Sequence, residues 1–342
     1  PEGLPAVVTI ALAIGVQRMA KRKAIIRKLP AVETLGSTTV ICSDKTGTLT
    51  RNEMTANEIW TIKHHIEITG VGYNPNGVFK SKGDALKDIP EAVTLLLRNA
   101  VLCSDASIKT EGKGFAITGD PTEVALVVAA AKAGIVADDL RKTYPRIDVI
   151  PFDSELQYMA TLNQCPDSVI ILKGAPEVVL KRCSTHYGGH TLNTADIIEQ
   201  IERLGAKGMR VLAVAQKVRD NKNNLELVDK DVQEGFEFIG LIGMIDPPRA
   251  EAIEAIRACH DAGIVVKMIT GDHRATARSI GMDLGLSANG DVVTGVELSK
   301  MDDKELVEVA KRINIFARVA PEHKLKLVKA LQRDNQIVAM TG

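Results

Sequence analysis

The sequence predicts an α/β protein in which a doubly wound parallel sheet is interrupted by an inserted α+β domain. Three observations predict it. A β-branched run, Thr38-Thr39-Val40-Ile41-Cys42, ends on Ser43-Asp44. That is the pattern of a buried strand with a carboxylate at its C-terminal end, where open α/β sheets place their sites. From about residue 53 to 240, strand-like and helical stretches alternate irregularly between turns rich in Gly, Asn and Lys. Beyond that, strands and helices alternate in the regular rhythm of right-handed βα crossovers.

At the N-terminus, Pro1 to Val16 is almost wholly apolar with Glu2 its one charge, and Arg18, Lys21, Arg22, Lys23, Arg27 and Lys28 follow. A secretory signal carries its basic residues before the apolar stretch. The run is also shorter than the roughly 20 residues that span a bilayer. Apolar-then-basic order reads as the last part of a transmembrane helix (1–16) leaving into a cytoplasmic stalk helix (17–33). A buried helix with a solvated basic face fits the same composition. Without an initiator Met, the chain is expected to be part of something longer.

Residues 34–52 then form the first part of the sheet domain, and Pro30 marks the break before it. The insertion, 53–242, is expected to hold strands at Glu58–Thr69, Gly114–Thr118, Met159–Leu162, Ser168–Leu172 and Val211–Gln216. Its helices are Pro90–Cys103 and Pro121–Ala133, with turns near Asn74–Gly77 and Asp220–Asn224. The sheet domain returns over 243–342. The resumed rhythm reads strand Phe238–Met244, helix Ala250–Ala262, strand Val265–Ile269, helix Arg274–Leu284, strand Ile313–Ala317, helix Glu322–Arg333 and strand Gln336–Met340.

Bulk properties narrow the function. Lys+Arg and Asp+Glu both total 43, so the chain has no electrostatic footprint for nucleic acid. Five scattered cysteines without a CxxC pair suggest neither a zinc site nor a disulfide framework. A reducing compartment fits best.

The chemistry concentrates after the first strand. A carboxylate ending a buried strand and followed by Lys45-Thr46-Gly47-Thr48 is a poised nucleophile, with hydroxyls nearby and a glycine that lets backbone approach a phosphate. An isolated Asp-Lys-Thr is accounted for by a helix N-cap, but eight residues, SDKTGTLT, are not. Thr270-Gly271-Asp272 follows the strand Val265–Ile269 and offers a hydroxyl and amides at a helix start. Lys324 sits early on a helix, in Ala320-Pro321-Glu322-His323-Lys324, and suits neutralising developing charge.

SDKTGTLT, TGD and the later lysine, in that order, resemble the phosphorylation machinery of P-type ATPases, within the haloacid-dehalogenase-like fold. The resemblance runs over nearly the whole chain and is nearest to the calcium-pump-like P2 branch. It implies that Asp44 accepts a phosphoryl group, assisted by Lys45, Thr270, Gly271, Asp272 and Lys324, with Asp44 and the Thr46 carbonyl as Mg²⁺ ligands. Relatives continue past Thr341-Gly342 with an acidic loop that helps hold Mg²⁺, so the magnesium shell of this chain is expected to be incomplete.

The insertion resembles the family's nucleotide-binding (N) domain, and the sheet domain its phosphorylation (P) domain. The resemblance implies that Lys173 and Gly174 line the ATP site, that Phe152 stacks on adenine, and that Glu123 and Arg210 contact the nucleotide. Asp246, in the hinge Asp246-Pro247-Pro248-Arg249, and Arg318 are expected on the nucleotide side. Each has a plainer reading: Asp120-Pro121-Thr122-Glu123 is a good helix start, and Phe152 is a plausible core residue. Gln157 departs from the family, standing where animal calcium pumps carry a lysine. Pro1-Glu2-Gly3-Leu4-Pro5 resembles the unwound middle of the fourth transmembrane helix, which implies Glu2 as a ligand of the transported cation.

The expected whole is therefore the core of a multi-pass membrane pump. Its partners are ATP, a cation (Ca²⁺ first) and, through the rest of the pump, the membrane, with this portion mostly cytoplasmic. Rival readings are a nucleotide-binding module without turnover and a soluble phosphatase of the same fold. Phosphatases of that fold usually carry a second Asp two residues after the nucleophile, as acid and base. Here that position is Thr46.

Overall fold

The computed structural model describes residues 3–21, 24–25, 27–28, 30–111, 114–164, 167–219 and 225–342. Glu2, Arg22, Lys23 and the turn expected at Asp220–Asn224 lie outside the described residues. The chain divides into two compact units. One comprises Pro1–Thr50 and Pro248–Gly342; the other is Arg51–Pro247.

The first unit is built on a five-stranded sheet in the order Val292–Thr294, Ile315–Ala317, Val265–Ile269, Val40–Asp44, Val338–Thr341, with every pairing parallel. Val40–Asp44 lies between two neighbours. Asp44 is registered with Ile269, and Ser43 with Thr341. Such a strand is covered on both faces, hence its unbroken apolar run. Val40, Cys42, Ile269 and Phe316 meet Leu306, Leu327 and Leu331 from the helices Asp303–Arg312 and Pro321–Arg333 in one core. Two helices start on side-chain caps with a reciprocal Glu, Thr294 with Glu297 and Asp302 with Glu305.

In the same unit, Leu4–Lys21 is an 18-residue helix of mean hydropathy 1.3, with Arg18 and Lys21 in its last turn and no residue buried. It is long and apolar enough to cross a membrane.

The second unit is dominated by an antiparallel sheet. Its order is Asp84–Ala85, Phe79–Ser81, His64–Ile68, Thr55–Thr61, Phe236–Ile245, Arg210–Val218, Ser168–Gly174, Tyr158–Gln164, Arg146–Asp153. The strands alternate inward residues between two cores, as a period of two requires. Ile171, Val214 and Ile242 join the core beneath the helices Glu91–Leu102 and Pro121–Lys132. Leu172, Ala213 and Leu241 join the other, with Ile197 and Leu204 of the helix Thr194–Ala206.

Two expectations are corrected here. Phe236–Ile245 does not open the parallel set; it pairs antiparallel with Thr55–Thr61 and Arg210–Val218 in the insertion's own sheet. Its sequence is compatible with either place, because an apolar run covered on both faces looks the same in parallel and antiparallel sheets. The stretch Glu58–Thr69 is not one strand but a hairpin, Thr55–Thr61 and His64–Ile68, turning at Ile62-Lys63.

Lys267 sits inside the parallel sheet, only 1% exposed and registered beside Cys42. Its ammonium donates to the Ile313 carbonyl and Asn314 Oδ1, both at 2.8 Å. Burial nonetheless pulls its pKa from 10.5 down to about 8, and burial pushes the Cys42 thiol up to about 11. Folding therefore disfavours the charged amine. That cost is complete below pH 8 and is relieved as pH rises toward 10.5, where the unfolded chain still holds the proton. The stability of the wild-type protein, relative to Lys267→Met, should rise by about 3 kcal/mol across that window. Urea unfolding of both proteins from pH 7 to 10.5 checks this; a flat difference would contradict it.

Candidate functional site

Asp44 ends its strand in extended conformation, φ −71° and ψ 148°. The chain then turns sharply. Thr46 (φ −71°, ψ 124°) and Gly47 (φ 74°, ψ −12°) occupy the two central positions of a type II turn. The second of these needs positive φ, which only glycine adopts without a Cβ penalty. The Thr50 amide closes the loop on the Lys45 carbonyl at 3.0 Å. Arg249 holds it from outside, donating from Nη2 to the Gly47 carbonyl (3.0 Å) and from Nε to the Thr50 carbonyl (2.9 Å). Sequence reasoning took Arg249 as part of a hinge and missed this clamp.

Three βα connections converge at the strand end. The Lys324 ammonium, from the first turn of the helix Pro321–Arg333, lies 2.5 Å from Asp44 Oδ2. The Lys45 side chain, almost fully buried, turns to Asp272 Oδ2 at 2.6 Å. The Asp272 amide donates to Thr270 Oγ1 (3.1 Å), while the Thr270 amide is fixed on the Phe316 carbonyl (2.9 Å). Thr341 Oγ1 donates to Ser43 Oγ at 2.9 Å. The result is two carboxylates matched by two ammoniums, with a hydroxyl and turn amides beside them. Arg318 belongs to this unit. It has φ 51°, and its amide donates to the Asp272 carbonyl.

The donors suit a hard cation. Asp44 Oδ1 is not the oxygen bound by Lys324, and the Thr46 carbonyl is a second oxygen donor of the kind Mg²⁺ prefers. Two protein oxygens also fit an ion that keeps several of its waters.

The second unit carries a cleft of about 170 Å³ lined by Asp120, Thr122, Glu123, Phe152, Lys173, Gly174, Arg210 and Leu212. It gathers Glu123, Phe152, Lys173, Gly174 and Arg210 from four separate elements. Asp246 is not in this lining. It is buried at the chain's return and accepts the Glu53 amide at 3.3 Å. Phe152 is 58% exposed, an aromatic face left to solvent rather than spent on the core.

Lys173 is the electrostatic centre. Its ammonium bonds Glu123 Oε1 at 2.8 Å and Ser104 Oγ at 2.9 Å, and both charged side chains are largely buried. Glu123 Oε2 also accepts the amides of Asp105 (2.7 Å) and Ala106 (3.2 Å). Two arginines fix that loop from behind. Arg141 donates to the Ser104 and Ala106 carbonyls, and Arg146 to those of Leu102 and Ser104. Gly174 is required by close approach: a Cβ there would lie 2.4 Å from the Gln157 carbonyl oxygen. At the pocket's edge Arg210 Nη1 donates to Thr122 Oγ1 at 3.1 Å. Sequence reasoning missed Ser104, Arg141 and Arg146, whose partners lie 35 to 69 residues away along the chain.

Comparison with known proteins places the sequence among named ATPases. Residues 92–251 match the family described as P-type ATPase, cytoplasmic domain N. The whole chain is 48% identical to the cation-transporting ATPase pma1 of Synechocystis and 47% identical to the probable cation-transporting ATPase F of Mycobacterium tuberculosis. It is 42% identical to the calcium-transporting ATPase of Bacillus subtilis. In each case all of this chain is covered but only 39% of the relative.

Because a buried ion pair that loses one member leaves an uncompensated charge, Glu123→Ala should cost about 3–5 kcal/mol of stability. The double variant with Lys173→Met should cost less than the sum of the singles, with a coupling of about 1–3 kcal/mol. Additive singles in chemical denaturation would show that the pair is not coupled.

Proposed function

Given that this chain belongs to the P-type cation-transporting ATPases, we propose that it holds the site at which ATP phosphorylates the pump, with Asp44 as the acceptor. The chain spans 39% of the length of the curated relatives it matches. Transport by the intact protein is therefore part of the proposal, as is its multi-pass membrane location with this portion mostly cytoplasmic. One observation carries the reading: a strand-end carboxylate held 2.5 Å from an ammonium, leading into a tight type II turn through Thr46 and Gly47.

ATP binds in the cleft of the second unit. The exposed Phe152 ring receives the adenine, while Lys173 and Arg210 supply charge for the polyphosphate. Asp246 and Arg318 are assigned to the nucleotide side on the family resemblance alone. The nucleotide must then reach Asp44, and we assign that motion to the segment Asp246-Pro247-Pro248-Arg249, where the chain passes between the units. An Asp44 carboxylate oxygen attacks the γ-phosphorus in line, the bond to the bridging oxygen breaks, and ADP leaves with that electron pair. Lys324 orients the carboxylate beforehand and faces the equatorial oxygens as charge spreads over them. Thr270 Oγ1 and the amides of Gly271 and Asp272 suit the same oxygens, and Lys45 keeps Asp272 from repelling them. Asp44 and the Thr46 carbonyl would hold Mg²⁺, which when bound would neutralise part of the phosphate charge.

Thr46 favours a pump over a phosphatase. The position two residues after Asp44, from which phosphatases of this fold activate water, carries the Thr46 hydroxyl and not a carboxylate acid or base. The intermediate persists until another part of the protein admits water. The transported ion is Ca²⁺ in this reading, on the strength of the Bacillus relative's name and the resemblance, with Glu2 as one ligand.

Incubation of the protein with γ-labelled ATP and Mg²⁺ should give acid-stable, hydroxylamine-labile label that Asp44→Asn abolishes. Lys324→Met should slow labelling by about 100-fold or more. Rapid steady phosphate release without label would indicate a phosphatase, and nucleotide binding without label an inert binding module.

A further inference from the structure

Three of the chain's seven histidines, His64, His186 and His190, line one cleft of about 240 Å³ in the Arg51–Pro247 unit. The cleft shares no lining residue with the one around Lys173. Nothing in phosphoryl transfer calls for imidazoles there. His186 ends the strand Cys183–His186 and His190 begins the strand His190–Thr191. The two are directly opposite across the hairpin.

The hairpin is firmly held. Its turn amides, Gly188 and Gly189, both donate to Glu237 Oε1 (3.0 and 3.2 Å), and the Tyr187 amide donates to the Phe238 carbonyl (2.8 Å). The Tyr187 hydroxyl reaches Glu91 Oε1 at 3.0 Å. The two imidazoles are therefore presented from a fixed backbone, with ring centroids 5.3 Å apart and planes inclined at 38°. Two imidazole nitrogens bound to one metal at about 2.1 Å, at a tetrahedral angle, put their ring centroids about 5 Å apart.

One contact orients the His186 ring. His186 Nδ1 lies 2.9 Å from the Tyr187 carbonyl oxygen, which can only accept. Nδ1 therefore donates, which in the neutral ring leaves the lone pair on Nε2, the arrangement in which a backbone carbonyl orients a metal-binding histidine. His190 is exposed and His186 only half-buried, so the pair is not explained as core packing.

We propose that the His186–His190 pair is a binding site for a first-row transition-metal ion, of the Zn²⁺, Ni²⁺ or Cu²⁺ type. Imidazole selects these ions over Mg²⁺ and Ca²⁺, which take oxygen ligands. Among the described residues no three His, Cys, Asp or Glu side chains are gathered to hold a metal. The site is accordingly open, with two protein ligands and the remaining positions filled by water. Cys183, on the same strand, does not compete. Its Sγ donates to the Val179 carbonyl, and burial keeps it a thiol.

Titration of the full chain with ZnCl₂, followed through ¹⁵N resonances of the histidine rings, tests this. One equivalent of Zn²⁺ should shift the His186 Nε2 signal and a His190 ring-nitrogen signal together, and MgCl₂ should shift neither. His190→Gln, at an exposed position that leaves the fold intact, should weaken binding by at least about 10-fold. His186→Gln should do the same, and His260→Gln, on an exposed helix of the other unit, should leave binding unchanged. Zn²⁺ that shifts neither ring, or an affinity unaltered in His190→Gln, would overturn the assignment.

Discussion

The contact on which the rest depends is the one between the Lys324 ammonium and the Asp44 carboxylate, 2.5 Å apart across 280 residues of sequence. A lone carboxylate at a strand end is a weak nucleophile and a poor host for a phosphoryl group, because the incoming charge repels it. An ammonium fixed beside it orients the oxygens and offsets that repulsion. The fold supplies the pairing through topology. Parallel strands must be joined by crossovers, so successive βα connections all emerge at one sheet end. The loops carrying Asp44, Asp272 and Lys324 meet there. The insertion leaves the first unit after Thr50 and returns before Pro248, and Arg249 ties the two sides of that gap together through the Gly47 and Thr50 carbonyls.

The second unit solves a related problem in another way. In the proposed reading its cleft presents positive charge to a polyphosphate, and it must do so without unfolding around a buried lysine. Glu123 and Ser104 compensate the Lys173 ammonium, and the loop bearing Ser104 is held by two arginines on its carbonyls. The charge is thus positioned before any ligand arrives, and preorganisation of this kind reduces what binding must spend on ordering.

How much of this was legible in the sequence follows from the range of each interaction. The strand Val265–Ile269 and the helices around it were readable because periodicity is local. The three-residue strand Val292–Thr294 and the helix Asp303–Arg312 were not anticipated. The first is too short to show alternation, and the second is mostly charged, declared mainly by its Asp302 cap. Phe236–Ile245 was read into the wrong sheet because burial on both faces erases the distinction. At the site, Asp44, Asp272 and Lys324 were legible as motifs, since each lies on a recognisable strand-to-helix turn. The pairing of Lys45 with Asp272, the clamp of Arg249 and the support of Lys173 by Ser104 were not. Those depend on side chains distant in sequence choosing one another in space.

The most direct test of the central claim is to find the acyl phosphate where the geometry puts it. The intact protein, quenched during turnover with ATP and Mg²⁺, is treated with tritiated borohydride, which reduces an aspartyl phosphate to homoserine and leaves free carboxylates alone. Peptide mapping should then place the tritium in the Val40–Thr50 peptide, with homoserine at position 44. Tritium at any other carboxylate, or none in that peptide while ATP is being consumed, would contradict Asp44 as the acceptor.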